Sequence, residues 1–296
     1  MPVLYPLLAV LIWAANTIVS KAAAGVVDPA AISLYRWVVA AIVLTPFCAR
    51  PLWRQRQAIA AQWRRFAVLA LLGMVMYQCL AYYAAHSTSA TNMGVIGALI
   101  PLLGLVLNVA VFRQPVGAQA VAGVVVSLLG VLYLLGRGEP ANLFDGGINH
   151  GDVLVLVGAT AYALYNILYR RWALPFGQWL NLYVQVLMAV VMLVPVAMTA
   201  HSLAIPAKGI GLVVFAGIAS SIVASYLWML GLKRIGSERT AVLMNLMPVF
   251  TAGLAAVMLG ETVHSYHWIG GGLVLLGVSL AQGIVRLPEL GPGARA

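Results

Sequence analysis

The sequence contains very little charge. Only 8% of its 296 residues are charged and 63% are hydrophobic, whereas a soluble domain carries roughly a quarter charged residues. No polar stretch is long enough to form a separate soluble domain. The shortage of charge therefore excludes a soluble globular protein and indicates an integral membrane protein.

Acidic residues are the scarcest charged class, with seven Asp and Glu against 17 Lys and Arg. A proton relay or a cation-binding antiporter site usually needs a carboxylate within the membrane. We therefore expect facilitated, gradient-driven movement of a solute, or coupling through a group that the sequence does not reveal. The acids all lie in predicted loops or at the ends of predicted spans: Asp28, Glu139, Asp145, Asp152, Glu238, Glu261 and Glu289.

Cysteine is also scarce. Cys48 and Cys79 both lie in apolar runs, where small buried hydrophobic residues are expected and a disulfide or metal pair is not. We predict no metal site and no cofactor. The net charge of +10 raises the question of nucleic acid, but basic patches on a soluble face are absent. Arginines in cytoplasmic loops explain the charge, so no nucleic-acid partner is predicted.

The chain does contain an internal repeat. The stretch Asn92 to Tyr133 is repeated from Arg239 to Leu280 at an offset of 147 positions. This offset places Pro101 on Pro248, Gly123 on Gly270 and the segment 128–131 on 275–278, without a gap. Matches of Leu and Val are common in so apolar a chain, but a shared mid-span proline and shared glycines are not. The repeat therefore has to be explained by the fold.

Hydrophobic segments of about 20 residues are long enough to cross the hydrocarbon core as helices. The sequence predicts an all-α integral membrane protein with ten such spans, in two five-helix repeats. The first repeat covers 1–137, a connecting loop 138–150, the second repeat 151–286 and a cytoplasmic tail 287–296. The predicted spans are 3–22, 29–49, 64–85, 90–112, 118–136, 151–171, 177–199, 209–232, 238–259 and 265–285.

The distribution of cations predicts the topology. With the N-terminus in the cytoplasm, most of the 17 Lys and Arg fall on the cytoplasmic side, and both termini lie inside. Because five spans per half is an odd number, the second half enters the membrane upside down relative to the first. Inverted repeats of this kind place a binding site near the midplane and permit alternating access, so the sequence predicts a transporter.

Polar side chains inside the spans follow helical faces. Trp13, Asn16, Thr17 and Ser20 share one face of the first span, and Tyr162, Tyr165, Asn166 and Tyr169 share one face of the sixth. Each such residue alone is more simply explained by interhelical hydrogen bonding or interface anchoring. Stripes at equivalent places in both halves nevertheless predict one aromatic, uncharged cavity. The predicted substrate-binding residues are Trp13, Asn16, Gln78, Tyr82, Asn92, Tyr162, Tyr165, Asn166, Ser225, Trp228 and Asn245.

Three further residues are predicted to have structural or gating roles. Arg36 is the one charge well inside a span, and burying it at a helix centre costs roughly 2.5–3.5 kcal/mol. It can bind a substrate carboxylate, but snorkelling or contact with carbonyl groups is favoured. Pro101 and Pro248 each remove a backbone donor mid-span and are interpreted as kinks that let helices curve around a cavity.

The two five-span repeats resemble the EamA-type branch of the drug/metabolite transporter superfamily. Each half has a proline in its fourth helix and a glycine-rich fifth helix. The stretch 258–280 is similar to a signature of that branch, carried by Gly260, Glu261, Gly270 and Gly277. The first half departs from the signature because Arg113-Gln114 replaces Gly-Glu. Arg36 also resembles an arginine in the branch's second span.

The resemblance implies a ten-helix fold in the bacterial inner membrane, with a central cavity built mainly from spans 1, 3, 4, 6, 8 and 9. It also implies outward movement of amino acids or other small metabolites, and the aromatic stripes look most like those of aromatic amino-acid exporters. We therefore expect a monomeric transporter of small neutral metabolites, with the lipid bilayer as its surroundings, and not an enzyme.

Other functions stay open at this stage. A multidrug exporter of the same fold usually needs an acidic residue in its cavity to bind lipophilic cations. A nucleotide-sugar or sugar-phosphate carrier needs Lys or Arg there, and only Arg36 is available. An intramembrane enzyme acting on lipid-linked substrates needs a cluster of Asp, Glu or His at one membrane face, which the spans do not supply.

Overall fold

The computed structural model describes residues 2–111, 113, 117–139, 141, 149–236, 240 and 243–285. Within these ranges the chain forms helices and no strand. The predicted tail 287–296, most of the predicted connecting loop and Arg239 lie outside the described residues. The helices are α1 (Leu4–Ala23), α2 (Pro29–Arg54), α3 (Arg56–Ala61), α4 (Trp63–Ala84), α5 (Ala90–Gly97), α6 (Ile100–Ala110), α7 (Ala118–Leu135), α8 (His150–Trp172), α9 (Gln178–Ala197), α10 (Ala207–Ile235), α11 (Met244–Leu259) and α12 (Ser265–Ala281).

Seven of the described helices are long and apolar enough to cross a membrane, namely α1, α2, α4, α7, α8, α9 and α10. α5 and α6 pass the same test together, but they are bent by 40° at the break between them. α11 and α12 are apolar and shorter. The prediction of an all-helical, multi-pass membrane protein is confirmed. A count of ten spans requires the bent pair to be one span and both shorter helices to cross.

The helix boundaries follow local chemistry. Asp28 accepts a hydrogen bond from the backbone N–H of Ala30 at 2.9 Å, and Pro29 occupies the first helical position of α2. The segment 50–63, which lies between the second and third predicted spans, is largely helical. There α2 continues to Arg54 and is followed by α3, so the cations of this segment are carried on helices.

The helices are irregular just before Pro101 and Pro248, and a bend accompanies the irregularity before Pro101. The break between α5 and α6 falls just before Pro101, where α6 begins. A short 3-10 turn, Met244–Leu246, precedes Pro248 at the equivalent place in α11. Since proline lacks an N–H and its ring crowds the preceding turn, regular α-helical bonding is interrupted at both sites.

A second equivalence appears where the sequences of the halves differ. Gly260 ends α11 in the left-handed region at φ 67°, which glycine adopts without steric cost. Its counterpart in the first half, Arg113, also has a positive φ of 51°. The backbone conformation is therefore kept although the glycine is not.

Helices that occupy equivalent places in the two repeats pack against each other in antiparallel pairs. α7 and α12 form one such pair: Gly123 meets Gly277, whereas Gly130 meets Gly270. Between them the Ser127 hydroxyl donates to the carbonyl of Val274 at 3.4 Å, 147 positions along the chain. Small residues let these backbones approach closely.

Two more counterpart pairs are antiparallel. Between α2 and α9, the hydroxyls of Thr45 and Tyr183 are 2.8 Å apart, and the Cys48 thiol donates to the carbonyl of Trp179. α5 packs on α11, and a Cβ on Gly94 would touch Thr251. Three antiparallel counterpart pairs are what two repeats related by a twofold axis across the helices would form.

In the other main contacts, the first helix of each half packs against helices of the other half. α1 packs on α10 and α11 of the second half, and α8 packs on α4, α5 and α6 of the first half. The first helix of each repeat is thus held by the third and fourth helices of the other. This exchange brings the polar faces of α1 and α8 toward the centre of the bundle.

Candidate substrate cavity

A cavity of about 180 Å³ lies at the centre of the bundle. Both halves contribute to it, with side chains from α1, α2, α4 to α6 and α8 to α11. Its polar and aromatic lining residues include Trp13, Asn16, Thr17, Ser20, Arg36, Trp37, Tyr77, Gln78, Tyr162, Tyr165, Ser220, Ser221 and Ser225. Among the residues that line it, none is acidic.

Irregular helix geometry occurs where the backbone reaches this cavity. α4 contains a π-helical segment, Leu71–Met76, and α10 contains another, Phe215–Val223, at the equivalent place of the second repeat. Gly73 and Ser220, one in each segment, line the cavity. Gly97 and Met244, beside the proline kinks, line it as well. Wide π turns of this kind are frequent at functional sites because they redirect side chains.

Arg36 lies deep in the bundle, with 2% of its surface exposed. Its Nη1 donates to Gln78 Oε1 at 2.6 Å and to the Tyr82 hydroxyl at 3.2 Å. Its Nε donates to Ser221 Oγ at 3.0 Å and its Nη2 to Ser220 Oγ at 3.1 Å. The guanidinium therefore bonds side-chain oxygens of both halves. This differs from the snorkelling or carbonyl contacts favoured from the sequence.

The position of Arg36 also changes the predicted electrostatics. We expected an uncharged cavity, but a guanidinium keeps its charge in proteins at any ordinary pH. The cavity wall thus carries one positive charge. The sequence placed this charge within a span, but it did not show that the side chain turns toward the other half.

Aromatic rings form one wall of the cavity. Tyr77 and Tyr162 stack with centroids 4.4 Å apart, and Tyr165 continues the stack at 5.3 Å from Tyr162. On another side Trp13 packs against Trp228 at 5.4 Å, and its indole N–H donates to the carbonyl of Ser220 at 3.1 Å. The predicted aromatic character of the site rests on these two groups of rings.

The predicted substrate-binding residues fall into two sets. Those that line the cavity are Trp13, Asn16, Gln78, Tyr162, Tyr165 and Ser225. The others lie outside its lining. Tyr82 is buried behind Arg36, Trp228 lies behind Trp13, and Asn245 lies in the 3-10 turn next to Met244. Asn166 lies one position after Tyr165 on α8, and Asn92 belongs to a separate polar region described below.

Sequence reasoning did not select several lining residues. Trp37 and Tyr77 directly adjoin residues that it did select, Arg36 and Gln78, and Ser220 precedes the selected Ser225 on α10. The signal was present as polar or aromatic neighbours. The π-helical segments and the approach of α2 to α10 bring both members of such pairs to the cavity, as with Arg36 and Trp37 or Tyr77 and Gln78.

A larger groove, of about 600 Å³, lies between α2 and the start of α9. Its wall is mostly apolar, with Val43, Leu44, Phe47 and Ile222 among its residues. Such a surface suits lipid chains better than a polar solute. The smaller central cavity is the better candidate site because both halves line it with hydrogen-bonding groups.

One end of the bundle is closed by polar contacts, which we call the latch and define by Lys21, Thr88, Asp152 and Glu261. The Lys21 ammonium donates to the carbonyls of Ala85 at 2.8 Å and Thr88 at 2.7 Å. The Thr88 hydroxyl donates to the Asp152 carboxylate, and both residues are nearly inaccessible. Since Thr88 and Asp152 belong to different halves, their bond joins the halves at this end.

Glu261 completes the latch. Its carboxylate accepts hydrogen bonds from the backbone N–H groups of Ala90 at 2.8 Å and Thr91 at 3.1 Å, and from the Thr91 hydroxyl at 2.8 Å. A carboxylate at a helix N-terminus satisfies free N–H groups and complements the helix dipole. The signature glutamate noted in the sequence therefore ties α11 to the start of α5. Beyond it, a polar hollow of about 390 Å³ includes Asn92 in its lining.

Among the described residues of the opposite end, the contacts between Lys21, Thr88 and Asp152 have no equivalent. At the repeat offset their counterparts are Leu168, Ile235 and Tyr5. Leu and Ile side chains cannot donate or accept hydrogen bonds. The two halves therefore have similar backbone geometry, but their side chains differ at the positions that form these latch contacts.

An all-helical membrane fold whose halves enclose a polar cavity is the architecture of a membrane transporter. The chain belongs to the EamA-like transporter family, which matches residues 1–136 and 149–282.

Individual relatives are similarly described. An uncharacterized transporter of Bacillus subtilis, YyaM, is 28% identical over 230 residues, covering 76% of this chain and 74% of the relative. An uncharacterized transporter of Archaeoglobus fulgidus is 27% identical, covering 92% and 94%. A WAT1-related protein of Arabidopsis thaliana is 25% identical, covering 83% and 75%. One crystal structure, 21% identical, shares the fold with a TM-score of 0.63 over 96% of both chains.

Proposed function

We propose that this transporter exports small neutral metabolites, namely amino acids including aromatic ones, across the inner membrane of a bacterium by alternating access. The observation that carries the proposal is the central cavity, because both halves line it with aromatic rings and hydrogen-bonding groups. Aromatic rings favour stacking of an apolar or aromatic side chain, and the polar groups orient its polar end. The chain acts as a monomer in this proposal.

The proposed motion uses ten spans in two inverted repeats. The three antiparallel counterpart pairs and the exchange of α1 and α8 between the halves support this arrangement. In it, one half rocks against the other around a fixed site at the midplane. With both termini in the cytoplasm, as the cations favour, the latch lies on the outer side. The state described here is then closed to the outside.

The size of the cavity favours a small metabolite. Pockets for drug-sized ligands are about 300–1,000 Å³, whereas this cavity measures about 180 Å³. A positively charged wall without an acid also disfavours lipophilic cations. Both properties weigh against the multidrug alternative.

Uptake into liposomes tests the proposal. Purified protein is reconstituted with labelled phenylalanine, tryptophan, leucine and alanine, and with a sugar and a lipophilic cation for comparison, each with and without a pH gradient. Saturable, protein-dependent exchange of at least one amino acid is expected. Exchange of only the sugar or only the lipophilic cation would overturn the proposal. Dependence on a proton gradient would instead contradict the expectation of facilitated movement.

A further inference from the structure

We infer that Arg36 and Trp37 bind a carboxylate in the central cavity and that Asn16 binds an ammonium group. The substrates are then recognised by their zwitterionic end. This inference rests on the proposed function and states which substrate atoms the site selects.

The first observation is that Arg36 has no counter-ion. All four of its recorded hydrogen bonds go to neutral oxygens of Gln78, Tyr82, Ser220 and Ser221. Within the described part of the chain, the only ion pair joins Asp28 and His201 and does not involve Arg36. A buried charge normally has a charged partner as well as hydrogen bonds, because hydrogen bonds alone replace only part of the lost hydration.

The second observation concerns free donors. Guanidinium has five N–H groups, and the recorded bonds of Arg36 use four of them. The indole nitrogen of Trp37 is buried without a hydrogen-bond partner, and Trp37 lines the same cavity. The Arg36 guanidinium carbon lies 5.0 Å from the centre of the Trp37 ring. A charged donor and a neutral donor on neighbouring residues can serve the two oxygens of a carboxylate.

The third observation is a free acceptor. The side-chain oxygen of Asn16 is buried and unpartnered, and Asn16 lines the cavity with only 7% of its surface exposed. Leaving such an acceptor unpaired costs free energy that a ligand donor recovers. Trp13, one turn earlier on α1, bonds the carbonyl of Ser220, whose hydroxyl accepts from Arg36. α1 therefore places the acceptor on the same side of the cavity as the guanidinium.

These groups define a ligand with an anionic and a cationic end. A carboxylate supplies the missing negative charge for Arg36, an ammonium supplies the donor for Asn16, and the stacked rings of Tyr77, Tyr162 and Tyr165 accept the side chain. A sugar phosphate carries up to two negative charges, whereas Arg36 is the one Lys or Arg among the described residues that line the cavity. The chemistry is that of a free α-amino acid.

Four compounds that all carry a benzyl group test the carboxylate and the ammonium separately. They are phenylalanine, phenylalaninamide, 3-phenylpropionate and phenethylamine. Binding to the full-length protein in detergent is measured by ligand-induced thermal stabilisation and by competition with labelled phenylalanine. For the wild type, phenylalanine is expected to bind most tightly. Loss of the carboxylate, in the amide and the amine, is expected to weaken binding by about tenfold to a hundredfold.

Three variants assign the ends to residues. Arg36→Gln is expected to abolish the preference for phenylalanine over its amide. Trp37→Phe, which keeps a ring but removes the N–H, is expected to reduce this preference by a few fold. Asn16→Ala is expected to remove the preference for phenylalanine over 3-phenylpropionate and to leave the carboxylate preference intact. Trp179→Phe, on the apolar groove outside the cavity, is the matched control and is expected to bind like the wild type.

The outcomes separate this inference from the proposed function. If the wild type binds none of the four compounds nor any other amino acid, the proposed function fails. If it binds phenylalanine and phenethylamine equally, amino acids remain substrates but the carboxylate subsite is refuted. An unchanged preference of Arg36→Gln for phenylalanine over its amide would also refute the carboxylate subsite. Should Arg36→Gln not fold, Trp37→Phe and Asn16→Ala decide, and wild-type selectivity in both overturns the inference.

Discussion

Gly123 and Gly277 lie in reciprocal contact across the two halves. A Cβ on Gly123 would lie 2.5 Å from the carbonyl oxygen of Gly277, and a Cβ on Gly277 would lie 2.6 Å from the carbonyl oxygen of Gly123. Gly130 and Gly270 repeat the relationship at 2.8 Å and 2.9 Å. Because the atoms in contact are backbone atoms, a side chain at these positions forces the helices apart. The pair α7 and α12 is thereby the tightest described junction between the halves.

Gly277→Ala is expected to destabilise the protein by about 1–3 kcal/mol, the usual cost of overpacking. The melting temperature of the purified protein in detergent measures the effect. Gly272→Ala is the matched control, since a Cβ on Gly272 of the same helix would have nothing within 4 Å. Equal melting temperatures for the two variants would show that the close contact does not constrain the fold.

Glu261→Ala is expected to lower stability because three hydrogen bonds to the start of α5 are lost. Bonds to a charged acceptor contribute roughly 1.5–3 kcal/mol each when buried, and the partly exposed position of Glu261 reduces this to about 1–3 kcal/mol in total. Glu261→Gln keeps one acceptor oxygen, so its stability is expected to lie between those of the wild type and Glu261→Ala. Thermal melting measures both, and Glu139→Ala at an exposed position is the control.

Lys21→Met is expected to open the latched end more often, because the Lys21 ammonium holds the backbone of Ala85 and Thr88, and the Thr88 hydroxyl bonds Asp152 of the other half. The measurement is the rate at which a membrane-impermeant maleimide, added from the latched side, labels Ser20→Cys in the cavity. The background carries Cys48→Ala and Cys79→Ala. An increase of about tenfold is expected for a loss near 1.4 kcal/mol.

The control for the latch is Lys208→Met, which removes an exposed cation near the same end, at the start of α10. Its labelling rate is expected to match that of the parent. If Lys21→Met also labels at the parental rate, the Lys21 contacts do not hold this end closed.

Asp28 gives stability a dependence on pH. Burial alone would raise the pKa of this loop carboxyl, but hydrogen bonds from the backbone N–H groups of Ala30, His201 and Ala31 outweigh burial and lower its pKa below 3.8. A carboxyl whose pKa is lower in the folded state stabilises the fold above its unfolded pKa. This contribution disappears as the pH falls through the folded pKa.

Asp28→Asn is therefore expected to lower the melting temperature at pH 7, and the difference from the wild type is expected to shrink below about pH 4. Melting curves recorded between about pH 3 and pH 7 check this sign. His201→Ala removes the imidazole that lies 3.6 Å from the Asp28 carboxylate but keeps the backbone N–H that donates to it at 3.0 Å, so this variant separates the ion pair from the backbone hydrogen bonds. If the difference in melting temperature between Asp28→Asn and the wild type were the same at every pH tested, the effect would come from altered geometry and not from the lost charge.

The sequence by itself determined the membrane class, the helical fold and the repeat. Each depends on composition or on periodicity, which are local properties: an apolar run of about 20 residues has few alternatives to a membrane helix. The kink before Pro101 and the cap at Asp28 were predictable for the same reason, since each depends on neighbouring residues only. The shared positive φ of Gly260 and Arg113 was not, because the residue types differ.

Tertiary structure alone decided which side chains meet. Trp13 and Asn16 reach the cavity as their stripe predicts, but Tyr82 and Trp228 lie behind other side chains because helix rotation and crossing set the depth of each residue. Arg36 turns toward Ser220 and Ser221, about 185 positions away, and the latch joins Thr88 to Asp152 over 64 positions. Contacts at such separations depend on how helices pack, and a pattern read along one helix contains no information about its neighbours.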